Sequence, residues 1–206
     1  HKDLAEIMVN AVLKAQKYGH KINELNFGGG LGIKYTNQDD PPSIDEWVKT
    51  ISNSVVKECK KYKLDLPKIL CEPGRSIVAT AGVTIYQIGS LKKIPGLRTY
   101  VSVDGGMSDN PRPITYQSMY SACLVDKPLI KKLSTKVTVA GKHCESGDVL
   151  LKDVVLGECK TGDLLCVFGT GAYNYSMSSN YNRIPRPAAL LVADGNADLI
   201  QKRESP

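Results

Sequence analysis

The sequence predicts an α/β segment over residues 1–80, part of a parallel barrel, followed by a β domain over residues 81–206. Three observations lead there. Two helix-period stretches in the first segment are each followed or preceded by a short β-prone run. Both of those runs end in polar or glycine-rich loops, and the C-terminal ends of strands carry the active site in parallel α/β barrels. From Ala81 onward the apolar runs shorten and are separated by Gly, Pro, Asn and Asp turns.

The elements follow in order. Leu4, Ile7, Met8, Ala11, Val12 and Ala15 recur at helical spacing, so a helix is expected over residues 4–18, stopped at Gly19. It begins directly after His1, with neither an initiator Met nor a leading strand, as if the chain started partway through a fold. A strand over residues 24–27 runs into Gly28-Gly29-Gly30-Leu31-Gly32. Ser43 and Glu46 have the spacing of a capping box, which opens a second helix reaching about Tyr62, with Trp47, Val48, Ile51 and Val55 as its core face. After Pro67 a buried strand is expected at residues 69–71, ending in Glu72-Pro73-Gly74-Arg75. In the second segment β-prone runs cover residues 83–88, 99–103, 136–140, 153–156, 164–168 and 188–192.

Composition limits the function classes. With 42% hydrophobic residues a chain of 206 can build a real core. It has no apolar run of the roughly 18 residues that a membrane helix needs, and no signal-peptide pattern at its start. The net charge of +6 is spread along the chain without a basic, aromatic-interleaved block, which argues against a nucleic-acid surface. Six cysteines show no C-x-x-C pair and no zinc spacing with the three histidines, so no metal site is expected and reduced thiols in a cytosol-like compartment are the simplest reading.

Five stretches carry candidate chemistry. The glycines at 28–32 suit close approach of a phosphate to backbone N–H groups, although they match neither the dinucleotide nor the Walker pattern. Glu72 and Arg75 place an acid and a guanidinium in one loop. Arg112 stands between Pro111 and Pro113 in the loop that leads from Asp104-Gly105-Gly106-Met107 to Tyr116, a rigid setting for binding a carboxylate. Gly171-Ala172-Tyr173 offers a phenol after small residues, with Ser178, Tyr181 and Asn182 following. Cys144-Glu145-Ser146-Gly147-Asp148 holds a thiol and a carboxylate on a turn bracketed by Gly141 and Gly147, glycines expected there for backbone conformations that other residues avoid.

Taken together and in this order, these motifs resemble the diaminopimelate decarboxylase family of pyridoxal-phosphate decarboxylases. They span residues 25–182 and correspond to the second half of that family's polypeptide. The resemblance implies the C-terminal part of a pyridoxal-phosphate-binding (β/α)8 barrel in residues 1–80, and a Greek-key-like β barrel domain in residues 81–206. It implies that Gly28, Gly29, Gly30, Glu72, Pro73, Gly74, Arg75 and Tyr173 hold the cofactor, with Glu72 facing the pyridine nitrogen. It also implies that Arg75, Arg112, Tyr116, Glu145 and Tyr173 bind the substrate. Cys144 would be the proton donor, reaching with Glu145 into the partner subunit's site across a homodimer. A free thiol, with an ordinary pKa of about 8.5, is mostly protonated near neutral pH and suits that task.

The implied reaction is decarboxylation of meso-2,6-diaminopimelate to L-lysine, the last step of lysine biosynthesis, in the cytoplasm or a plastid. The family's Schiff-base lysine and ring-stacking histidine have no matching motif here, so the chain alone is expected to be inactive. A related decarboxylase of ornithine, arginine or carboxynorspermidine is disfavoured, since an amine-ended substrate wants an acid where this chain has Arg112. An alanine racemase is disfavoured by the lack of a distal group for these arginines to hold. The non-catalytic alternative is a fragment that serves only as a dimerisation or binding module.

Overall fold

The computed structural model describes residues 2–127 and 134–205, and His1 lies outside it. The chain divides into two compact units, residues 1–34 with 38–78 and residues 35–37 with 79–206.

In the first unit, helix α1 (Lys2–Lys17) packs on helix α2 (Ile44–Tyr62). The capping box at the start of α2 is formed in full: the Glu46 N–H donates to Ser43 Oγ at 3.2 Å while Glu46 Oε2 accepts from the Ser43 N–H at 2.9 Å. The Ser43 N–H and the Ser43 hydroxyl, both donating to Oε2, hold the Glu46 carboxyl below its usual range. Strands β1 (Glu24–Asn26) and β2 (Lys68–Leu70) pair in parallel, with Leu25 opposite Ile69. Ala5, Val9, Leu25, Trp47, Ile51 and Val55 form one core. Two expectations are corrected here. Val48 is 45% exposed, because the buried stripe of α2 follows Trp47, Ile51 and Val55 and leaves Val48 beyond its edge. The second strand is only half-buried.

In the second unit six strands form one mixed sheet in the order β5-β8-β3-β4-β6-β7. They are β3 (Val83–Ile94), β4 (Arg98–Val103), β5 (Ala122–Leu124), β6 (Thr135–Ala140), β7 (Val149–Leu156) and β8 (Leu164–Phe168). Among the described residues of this sheet, only β4 and β6 pair in parallel. The edge strands β5 and β7 come into contact, so the sheet curls into a nearly closed barrel around Ile88, Val101, Val139, Leu156, Leu165 and Val167. A separate hairpin of β9 (Ala189–Ala193) and β10 (Asn196–Gln201) follows. Two short helices replace expected loop: α3 (Gly74–Val78) and α4 (Arg112–Tyr116), the latter opening on Pro111 and Pro113, whose fixed φ is compatible with a first helical turn.

Candidate functional site

Each unit gathers part of the candidate chemistry. In the first, β1 and β2 end side by side and deliver their loops together. The Glu72 N–H donates to the Gly28 carbonyl at 2.7 Å. Asn26, the last residue of β1, then ties the two loops through its side chain. Its Oδ1 accepts from the Gly28 N–H at 2.8 Å, and its Nδ2 donates to Glu72 Oε1 at 2.5 Å. Gly28 and Gly30 take φ of +63° and +93°, which other residues avoid. Gly29 is required for space instead, since a Cβ there would overlap the Glu72 carbonyl oxygen. Glu72 is exposed, with Asn26 fixing its carboxylate, while Pro73 and Arg75 are half-buried and Gly74 starts α3. The result is a bare-backbone ledge beside an oriented carboxylate, an arrangement suited to close approach of an anionic group to backbone N–H groups.

In the second unit the loop after β4 is fixed from several sides. Asp104 Oδ1 accepts from the Gln87 N–H at 2.8 Å, and Asp109 accepts from the Gly106 N–H at 2.9 Å and from the Tyr86 hydroxyl at 2.5 Å. Burial pushes the Asp109 carboxyl up, against those hydrogen bonds, and burial beside Asp109 pushes the Tyr86 phenol far up. This loop delivers Arg112, which is 6% exposed. The Arg112 guanidinium lies among three tyrosine rings, those of Tyr35 at 5.4 Å, Tyr173 at 5.5 Å and Tyr116 at 5.9 Å. Nη2 donates to Ser118 Oγ at 3.2 Å, whereas the buried Nε has no hydrogen-bond partner. The guanidinium is a desolvated cation, a group that favours an anionic partner. Tyr173 and Tyr116 remain 46% and 62% exposed, and Tyr173 takes φ of +68°. Tyr35, the long-range member of the cage, accepts at its backbone carbonyl from the Ser121 hydroxyl at 2.8 Å. Sequence reasoning missed it, because nothing local marks a tyrosine after a glycine loop as the neighbour of an arginine 77 positions later.

The turn between β6 and β7 presents Cys144 and Glu145, both exposed. Asp148 organises it from beneath: its carboxylate accepts from the His143 N–H at 2.9 Å, from His143 Nδ1 at 2.7 Å and from the Met107 N–H at 2.7 Å. His143 and Asp148 side chains are buried. Gly141 and Gly147 do not have positive φ, which corrects the expectation above. They are small for packing reasons, since a Cβ at Gly141 would overlap the Asp148 carboxylate and one at Gly147 would meet Ile114 Cδ1 at 2.5 Å. Glu145 Oε1 accepts from the Gly147 N–H at 3.2 Å and so lies back along its own turn. Among the described residues no cluster of His, Cys, Asp and Glu could hold a metal ion, and no helix is long and apolar enough to cross a membrane.

Comparison with known proteins gives the class that unites a glycine ledge beside a carboxylate with a nearly closed sheet barrel, and it is the pyridoxal-dependent decarboxylases. The chain belongs to that family: the model of the pyridoxal-dependent decarboxylase C-terminal sheet domain matches residues 62–171, and that of the pyridoxal binding domain matches residues 2–79. It is 55% identical to the diaminopimelate decarboxylase of Synechocystis sp. over the whole chain and 44% of that protein. The Bacillus subtilis diaminopimelate decarboxylase is 48% identical over 94% of this chain and 46% of its own length. Among solved structures, a diaminopimelate decarboxylase from M. jannaschii in co-complex with L-lysine superposes with a TM-score of 0.84 at 33% identity, covering 98% of this chain and 45% of that one. The chain thus spans about half the length of the relatives it matches.

Proposed function

We propose that this chain is the C-terminal part of a pyridoxal-phosphate-dependent decarboxylase that converts meso-2,6-diaminopimelate to L-lysine and carbon dioxide. The observation that carries the reading is Arg112, a cation held among three tyrosines, of which Tyr116 and Tyr173 remain exposed. A substrate with a carboxylate at its non-reacting end satisfies that group, and a diamine-forming substrate without one leaves it unpaired at a cost. Arg75 and Tyr116 assist in binding the distal group, Tyr173 contacts substrate and cofactor, and Glu145 reads the distal amine.

Residues 1–80 belong to a (β/α)8 barrel and residues 81–206 to a Greek-key-like β domain. Gly28, Gly29, Gly30 and the turn from Glu72 through Pro73 and Gly74 to Arg75 hold the cofactor. Glu72 keeps the ring nitrogen protonated, and the fixed carboxylate and bare glycine backbone support that assignment. Bound pyridoxal phosphate supplies a sink for the electron pair left when the carbon–carboxylate bond breaks. Cys144 then gives its thiol proton to the α-carbon and regains one from solvent, so one proton is consumed per carbon dioxide released. Exposure of both Cys144 and Glu145 supports a homodimer in which this turn serves the partner's site. Six unpaired cysteines support a reducing, cytoplasmic setting.

The test is lysine formation from meso-diaminopimelate by the full-length polypeptide carrying this segment. Cys144→Ala should slow turnover by about 10²-fold or more while cofactor absorbance is retained. Absence of lysine formation by the unmodified enzyme would refute the assignment, and unchanged turnover in Cys144→Ala would remove the proton-donor role.

A further inference from the structure

The turn 141–148 satisfies its backbone almost entirely from within or from the neighbouring loop. The N–H groups of Gly141, Glu145 and Asp148 bond to carbonyls of the same turn, that of Lys142 bonds to the Gly105 carbonyl, and that of His143 bonds to Asp148. Cys144 is the exception. Its N–H donates at 3.0 Å to Oδ1 of Asn182, a residue 38 positions further along the chain.

Asn182 is held for that contact. It takes φ of 53° and ψ of 22°, a left-handed conformation that asparagine tolerates better than most residues. The Tyr181 ring beside it stacks on the His143 ring at 5.9 Å and 22°. On the other side the segment is latched by Glu204, which accepts from Asn180 Nδ2 at 2.6 Å, from the Arg186 N–H at 2.9 Å and from Arg186 Nε at 2.7 Å. Ser179 is fixed as well, its N–H donating to the Ser108 carbonyl at 2.8 Å. The brace therefore meets the thiol-bearing turn at two adjacent residues, by ring stacking at His143 and by a hydrogen bond at Cys144.

We propose that Asn182 is a positioning residue for the proton-donating thiol, fixing the backbone from which Cys144 projects. This rests on the role given to Cys144 above. Asn182 acts through the peptide N–H of Cys144.

The test uses the full-length enzyme and three variants. Asn182→Gly keeps the left-handed backbone and removes the acceptor, Asn182→Asp restores an acceptor oxygen, and Cys144→Ala removes the thiol. The expected result is a fall in kcat of about 10-fold in Asn182→Gly, with KM within about 2-fold and unchanged cofactor absorbance, and recovery of most of that loss in Asn182→Asp. In the Cys144→Ala background Asn182→Gly should change kcat no further, because the two substitutions act on one step. An Asn182→Gly enzyme with unaltered kcat, or equal losses with and without Cys144, overturns the inference while leaving the decarboxylase reading intact. A parent enzyme that forms no lysine fails that reading instead, before any variant is compared.

Discussion

Replacing Arg112 with methionine separates substrate binding from stability. The side chain is 6% exposed and holds its charge against three tyrosine faces with one weak hydrogen bond to Ser118. Each cation–π contact contributes about 0.5–2 kcal/mol, which offsets much of the several kcal/mol that a buried unpaired charge costs. Methionine keeps the length and apolar stem and removes the charge, so the melting temperature of the unliganded enzyme should stay within about 2–4 °C, the shift that 1 kcal/mol gives a chain of about 150–250 residues. Turnover should not be spared. Two charge-assisted hydrogen bonds to a distal carboxylate are worth about 1.5–3 kcal/mol each, so kcat/KM for meso-diaminopimelate should fall by about 10²–10⁴-fold. The assay is steady-state lysine formation beside thermal unfolding. A kcat/KM within about threefold of the parent would refute the carboxylate role, since even one lost charged hydrogen bond exceeds that. A collapse in melting temperature with a matching loss of activity would mean that Arg112 is a structural cation.

Two further outcomes follow from the same geometry. Gly29→Ala should weaken pyridoxal phosphate affinity by about 10-fold, read by titrating cofactor absorbance, because the new methyl must displace the Glu72 turn at a cost of about 1–3 kcal/mol; unchanged affinity would show the ledge is not the cofactor's support. Hydrogen bonds from Arg186 and Asn180 lower the Glu204 carboxyl to about 2, so the stability it contributes is full above its ordinary value of 4.5 and is lost as pH falls toward 2. The difference in melting temperature between the parent and Glu204→Gln should therefore narrow across that window, and a difference that stays constant would place the latch's contribution elsewhere.

The sequence carried the first unit well because its signals are local. The α2 capping box needs only Ser43 and Glu46, and the apolar stripe of Trp47, Ile51 and Val55 is set by helical period alone. The strand ends were legible for a related reason: a β-prone run stopped by glycines or by Glu72-Pro73 marks where backbone leaves the sheet. The second unit was less so. Strand β5, three residues long, offers too short a run to show alternation, and β10 (Asn196–Gln201) includes Asn196 and Asp198, both depleted in strands, and owes its state to pairing with β9. The glycines around Cys144 were identified for the wrong reason, since what they accommodate is Asp148 and Ile114, residues whose approach depends on the folded turn.

The same distinction divides the site. The residues proposed to hold the cofactor lie in contiguous motifs, because two adjacent strand ends suffice to build a ledge. Residues that hold Arg112 and Cys144 in place come from far along the chain: Tyr35 from before the second helix, Asn182 and Glu204 from beyond the last strand of the barrel. No period or spacing announces Tyr35 or Glu204, and Asn182 stands out only as a residue following Tyr173. A thiol on a two-glycine turn has many accessible orientations, and a proton donor must have few. If Cys144 is that donor, the restraint has to be supplied by tertiary contacts, and the left-handed Asn182 with its Glu204 latch is the contact proposed to supply it.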